Sequence, residues 1–306
     1  MLKRCFFRIF KRCMSLEEYL KIYEYDKSKP LNLEISKLFE KTDYLAYKVY
    51  YSSVGDVRVP AILTLPKIDV QIHPCIVFLH GYDGRKEDIL PLAEVFSKEG
   101  YAFLSIDAPL HGERREPGKV LYSPNIEELK SNVVQTVLDL RRGIDFLEQR
   151  PEIQCEKIGY AGGSMGGIIG SLFISVEPRI KAAVIVVGGG NLPLMIKESK
   201  HYSTYPIREE LKRRGLSYDK LNEILAPVDP LNFIHLFAPK PIQFHCGKYD
   251  DIVPAETQRL LTEKAGEPKE VYWYESGHGI PLEPMLKRVL KFFEEHLKSL
   301  KSIRGF

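Results

Sequence analysis

Short apolar blocks recur along this chain at Cys75–Leu79, Tyr101–Ile106, Lys157–Ala161, Ile180–Val187, Pro241–Cys246 and Glu270–Tyr274. Each is bounded by turn-forming residues and carries few polar positions, the pattern of strands buried on both faces of a parallel sheet. Between them the period lengthens. Lys86–Lys98, closed by Gly100, Asn125–Gln149 and Ile168–Val176 read as helices. In the longest of these, Val133, Val137, Leu140, Ile144 and Leu147 fall three or four apart, so one face can cover a sheet. Tyr44–Tyr51 and Val57–Leu65 alternate instead around Ser53–Asp56, predicting an antiparallel edge hairpin. Ahead of them, Leu16–Tyr25 predicts a helix with Ser15 and Glu18 as a capping box, followed by a loop over Lys27–Leu33. The expected fold is α/β, a mostly parallel doubly wound sheet with right-handed crossovers and an antiparallel N-terminal edge hairpin.

One connection is too long. From about 191 to 236 the chain spends roughly fifty residues where about twenty would join two strands, and Ile207–Arg214 and Asp219–Leu225 within it look helical. This predicts a small helical cap set into one domain spanning 44–306, preceded by a basic segment and helix over 1–43. The last helix is expected at Leu282–Leu300, ending in a basic tail.

The candidate chemistry lies at the ends of these strands. Gly162-Gly163-Ser164-Met165-Gly166-Gly167 contains the pattern Gly-x-Ser-x-Gly between a predicted strand and a predicted helix. A serine in so sharp a turn is strained, and close neighbours must lack side chains. Its hydroxyl is thereby exposed, and the following N–H of Met165 stands at a helix N-terminus where it can hold an oxyanion. Such a serine needs a base and an orienting acid. His278 sits between Gly277 and Gly279 after the strand ending at Tyr274, and Asp250 and Asp251 follow the strand ending at Cys246. Spacing alone leaves the two aspartates open. Upstream, Cys75–Leu79 runs into His80-Gly81-Tyr82-Asp83-Gly84. Asp107–Arg115 forms a further loop on the same edge, where Glu113 and Arg114 are expected to form an ion pair that fixes it, with contact to a substrate the alternative.

Together HGYDG (80–84), SIDAPLHGERR (105–115), the GGSMGG turn and GKYDDIVP (247–254) resemble the α/β-hydrolase superfamily from about Tyr44 to Leu297. The chain is most similar to the branch of dienelactone-hydrolase-like and acetyl-esterase-like proteins that includes prolyl oligopeptidase catalytic domains. The resemblance implies Ser164 as nucleophile, Asp250 rather than Asp251 as the acid, His278 as the base, and the backbone N–H of Tyr82 beside that of Met165 in the oxyanion hole. Asp251 would then cap the helix starting near Pro254, and the His80 ring would shape its turn. True dienelactone hydrolases carry a cysteine at the nucleophile position; serine at 164 disfavours that activity.

Composition changes little. Hydrophobic residues at 44% and charged residues at 28% are those of an ordinary globular protein. The five cysteines (5, 13, 75, 155, 246) have neither disulfide nor metal spacing, Cys75 and Cys246 fall in expected core strands, and a reduced cytoplasmic setting is the simplest reading. The net charge of +3 is concentrated at the start, where Lys3, Arg4, Arg8, Lys11 and Arg12 occur without an acid. The remainder is slightly acidic, and no nucleic-acid partner is expected. Residues 1–13 are expected to be translated sequence upstream of a start at Met14; a targeting segment, or contact of 1–14 with an anionic membrane surface, is the lesser alternative.

The expected activity is hydrolysis of small-molecule carboxylic esters, with short acyl groups implied by the acetyl-esterase resemblance. No metal or organic cofactor is required. Amide hydrolysis or acyl transfer on the same triad is the alternative, ahead of a non-catalytic binding protein. Leu192, Leu194, Met195, Tyr202 and Tyr205 are the candidates for lining a substrate pocket. Oligomeric state is not legible.

Overall fold

The computed structural model describes residues 14–298. The basic run 1–13 and the end of the chain from 299 lie outside the described residues, so the readings of a start at Met14 and of a membrane contact are untouched.

Nine strands form one sheet: β1 (Glu34–Glu40), β2 (Tyr44–Ser52), β3 (Arg58–Pro66), β4 (His73–Leu79), β5 (Ala102–Ile106), β6 (Ile153–Gly163), β7 (Ile180–Val186), β8 (Ile242–Gly247) and β9 (Lys269–Tyr274). Their order is β1-β2-β3-β5-β4-β6-β7-β8-β9. The five pairings from β5–β4 through to β8–β9 are parallel, and β1, β2 and β3 are added antiparallel at one edge. The doubly wound α/β architecture is therefore present. The N-terminal edge carries three antiparallel strands rather than a hairpin alone. β1 is solvent-exposed at nearly every position, so its sequence, Glu-Ile-Ser-Lys-Leu-Phe-Glu, has no burial pattern to betray a strand.

The helices are α1 (Leu16–Lys21), α2 (Leu90–Phe96), α3 (Ile126–Leu147), α4 (Met165–Val176), α5 (Leu192–Glu198), α6 (Thr204–Arg214), α7 (Tyr218–Leu225), α8 (Ala255–Lys264) and α9 (Leu282–Phe293). Ser15 and Glu18 close the capping box of α1 with bonds of 3.2 and 2.7 Å. The Asn125 side chain caps α3 by accepting from the N–H of Glu127. The helix expected over 86–98 opens as a 3₁₀ turn, Lys86–Ile89, before α2.

Two cores flank the sheet. On one side α3, α4, α8 and the 191–236 segment bury Val133, Val137, Leu140, Ile168, Leu172 and Leu261 against it. On the other, α2 and α9 bury Phe96, Phe292 and Phe293 against Ile62, Ile76 and Phe103. Burying a side chain such as Leu79 or Val77 in β4, both at 0% exposure, contributes about 2 kcal/mol each. The parallel strands end together on one edge, so loops after β4, β5, β6, β8 and β9 converge there. Three helices, α5, α6 and α7, occupy the long connection between β7 and β8. Tyr23, behind α1, packs on Phe233 and donates to the carbonyl of Pro227, tying the N-terminal helix to this connection.

Candidate active site

Ser164 is the hinge between β6 and α4, at φ 55° and ψ −119°. A non-glycine residue holds such a conformation only where its surroundings over-determine it. Here Ser164 N–H donates to Val186 O at 2.9 Å, and the buried Tyr160 hydroxyl donates to Gly166 O at 2.6 Å. The turn also presses against β4. A Cβ on Gly166 would lie 2.0 Å from the carbonyl oxygen of Leu79, so only glycine fits. Gly163, in contrast, has room for a Cβ, with nothing closer than 3.8 Å. The expectation that all the turn glycines are sterically required is corrected at that position.

His278 reaches this serine from the loop after β9. Its Nε2 lies 3.0 Å from Ser164 Oγ, and its Nδ1 lies 2.9 Å from Asp250 Oδ2. Two extra rungs beyond the ladder, Lys248 N–H to Tyr274 O and Tyr249 N–H to Ser276 O, bind the acid loop to the histidine loop. They approach so closely that a Cβ on Gly247 would meet Gly277 O at 2.2 Å.

Asp250 is the aspartate in this constellation. Its side chain is fully buried. Oδ1 accepts from the N–H groups of Ile252 and Val253 at 2.9 and 3.0 Å, and Oδ2 accepts from Gln258 Nε2 at 2.9 Å as well as facing His278. A carboxylate so supplied with donors is held in one orientation. Because it takes the Nδ1–H, the Nε2 lone pair is left to face the Ser164 hydroxyl. Asp251 points elsewhere and pairs with Lys200 at 3.1 Å. It does not cap α8, whose N-cap is Pro254 with no side-chain bond, so that expected role is replaced by the ion pair.

The loop after β4 lies alongside. A Cβ on Gly81 would be in contact with Ser164 Cβ at 3.9 Å, which puts the Gly81–Tyr82 backbone next to the serine. Met165 is the first residue of α4, so its N–H has no acceptor within the helix. The backbone N–H of Tyr82 has no backbone acceptor among the described residues. The fully buried His80 donates through Nδ1 to Gly81 O at 2.7 Å and accepts from Ala108 N–H through Nε2 at 3.2 Å. Burial pushes its pKa down to about 4, so the ring is a neutral brace between two loops.

Glu113 and Arg114 each form an ion pair, but not with each other. Glu113 pairs with Lys86 at 2.6 Å, and Arg114 with the buried Asp139 at 2.6 Å. Lys86, almost fully buried, also holds Asp107 at 2.9 Å. These pairs fix the 107–115 loop, as the sequence led one to expect, through partners it did not identify.

The pocket around Ser164 is lined by Tyr82, Tyr122, Ile168, Met195, His201 and Val253 among others. Of the residues expected to line it, Met195 does so, and Leu192 lines an adjoining apolar cavity. Tyr202 stands further out, with its hydroxyl on Asp83 at 2.5 Å. Leu194 lines neither cavity, and Tyr205 is exposed under the Arg208 guanidinium. Tyr122, His201 and Gln258 were not singled out from sequence. None carries a local motif, and only the folded chain brings them to the strand ends. The group of potential metal-ligating side chains found among the described residues, Glu270, Glu295 and His296, involves none of the site residues. No described helix is long and apolar enough to cross a membrane.

A strained serine after a central parallel strand, with an aspartate and a histidine from loops after two later strands, is the arrangement of the α/β-hydrolases. Within that class the chain belongs to the acetyl xylan esterase family (AXE1), whose family model matches residues 21–296. That membership makes it a carboxylesterase. Among solved structures it is similar to acetyl xylan esterase 1 from Thermoanaerobacterium sp. JW/SL YS485, with TM-score 0.80 and 18% identity over 92% of this chain and 93% of that one. It is also similar to the acetyl xylan esterase from Paenibacillus sp. R4, with TM-score 0.76 and 19% identity over 93% and 100% of the two chains. At those identities the likeness speaks for the fold. A Bacillus subtilis relative named as an esterase, YitV, is 26% identical over 241 residues, 73% of this chain and 89% of its own.

Proposed function

We propose that the protein hydrolyses short-chain carboxylic esters through Ser164, His278 and Asp250, by way of an acyl-enzyme. The observation that carries this reading is the unbroken chain Asp250 Oδ2–His278–Ser164 Oγ, at 2.9 and 3.0 Å, ending on a serine held at positive φ. His278 Nε2 accepts the hydroxyl proton as Ser164 Oγ attacks the ester carbonyl carbon. Asp250 keeps the ring in the tautomer with its lone pair on Nε2 and stabilises the imidazolium that forms. Negative charge gathers on the carbonyl oxygen, where the N–H groups of Tyr82 and Met165 hold it; one such donor is worth about 3 kcal/mol. Collapse expels the alcohol, protonated by His278. Water, deprotonated by the same ring, then releases the acid and restores the serine.

The test is turnover of p-nitrophenyl esters from acetate to laurate, with Ser164→Ala alongside. Serine-dependent turnover concentrated in the short chains is expected. Equal turnover by the variant would remove Ser164 from the reaction, and a folded but inactive wild type would turn attention to amide bonds or acyl transfer.

A further inference from the structure

Two cavities lie beside the pocket at Ser164, and they differ in chemistry. The outer one is a cleft of about 420 Å³ whose lining includes Tyr82, Asp83, His111, Arg115 and Tyr202. The inner one is an apolar cavity of about 40 Å³ bounded by Leu129, Val133, Leu192, Ile196, Ile207 and Val228. It joins the serine pocket through four shared residues, Tyr122, Ile168, Met195 and Thr204.

The serine pocket itself is about 40 Å³, as small as the inner cavity. An acyl chain that outgrows the first extends into the second, and the polar cleft is left for the alcohol. Tyr122 guards the passage. Its ring lies parallel to that of Tyr82, 5.3 Å away at 4°, and its buried hydroxyl has no hydrogen-bond partner. Because Tyr122 lines both spaces, its side chain narrows the way between them. Met195 is the flexible side of the same passage.

We propose that the inner cavity is the acyl pocket, that the enzyme takes linear acyl groups longer than acetyl, and that Tyr122 and Met195 set the limit. This rests on Ser164 being the residue acylated.

The experiment is kcat/KM for p-nitrophenyl acetate, butyrate, pentanoate and octanoate, with wild type, Tyr122→Phe, Met195→Ala, Val133→Phe and Ser164→Ala, each checked for folding by thermal melting. The wild type should use pentanoate at least as well as acetate and fall off by octanoate. Tyr122→Phe, which removes the hydroxyl and so widens the passage, should raise the pentanoate-to-acetate ratio several-fold. Met195→Ala should carry the cutoff towards octanoate. Val133→Phe, filling the cavity, should lower the ratio by about tenfold or more, the scale at which a hydrophobic pocket discriminates methylenes. Should Val133→Phe fail to fold, the other two variants still decide. A wild type confined to acetate, or ratios unchanged in Tyr122→Phe and Met195→Ala while turnover still depends on Ser164, overturns the acyl-pocket assignment alone. Turnover surviving in Ser164→Ala overturns the catalytic reading beneath it.

Discussion

The strand-end loops and the helical connection between β7 and β8 meet over the same serine, yet they are built by different means. At the strand ends, backbone contacts leave one solution: Gly166 against Leu79 O, Gly247 against Gly277 O, and Asp250 held by two backbone N–H groups and Gln258. In the helical connection, Met195, His201 and Thr204 reach the pocket from α5, its following turn and α6, positioned by packing and a few side-chain bonds. On the function proposed above, the difference separates chemistry from selectivity. Groups that must sit within tenths of an ångström are hung on the sheet, while the proposed selecting groups are hung on elements that can vary without disturbing it.

The sharpest break falls on the strand-end side. Ser164→Ala should lower ester turnover by about 10⁴-fold or more, measured as kcat with melting temperature unchanged. Asp250→Asn keeps the shape but leaves the wrong tautomer at His278, and a loss of about 10³- to 10⁴-fold in kcat is expected near neutral pH. If Asp250→Asn were nearly silent while Asp251→Asn was not, the acid would have been misassigned. Gly166→Ala should abolish activity and destabilise the fold by about 2 kcal/mol or more, since its Cβ would require Leu79 and α4 to separate. Gly163→Ala, where there is room, should leave melting temperature within a few degrees.

A smaller effect concerns pH. Burial lowers the pKa of His80 and of His245 to about 4, against 6.5 for an exposed ring. The folded state therefore binds fewer protons than the unfolded chain between those values. The associated stability is whole above about pH 6.5 and declines as pH falls towards 4, by about 1.4 kcal/mol per pH unit for each histidine. Urea midpoints measured from pH 7 to 4 should fall, and His245→Gln should lessen the slope without altering ester turnover at pH 7. An unchanged slope would mean that His245 is not buried as a neutral ring.

What was legible in the sequence follows the same division. Strands β4, β5, β7 and β8 carried apolar runs because both of their faces are covered, and the edge strand β9 carried one although its residues are only half-buried. The turn around Ser164 carried its glycines because β4 leaves no space at Gly166. His278 and Asp250 stood out because each follows such a run. β1 did not, because an exposed edge strand buries nothing that would pattern its residues. Gln258 was equally silent: it lies eight residues from Asp250 on α8, and only the folded loop brings its amide to the carboxylate. Tyr122 lies in an irregular segment before α3, more than forty residues from Ser164, and reaches the pocket through tertiary packing alone. The partners of Glu113 and Arg114 were hidden for the same reason, since Lys86 and Asp139 come from other elements.

The central claim is that Ser164 is acylated during turnover. Incubation with a fluorophosphonate, followed by peptide mass spectrometry, tests it most directly. The account predicts one stoichiometric adduct on the peptide carrying Ser164, lost in Ser164→Ala and strongly slowed in His278→Ala. Labelling of a different residue, or an active enzyme that the reagent leaves untouched, would contradict it.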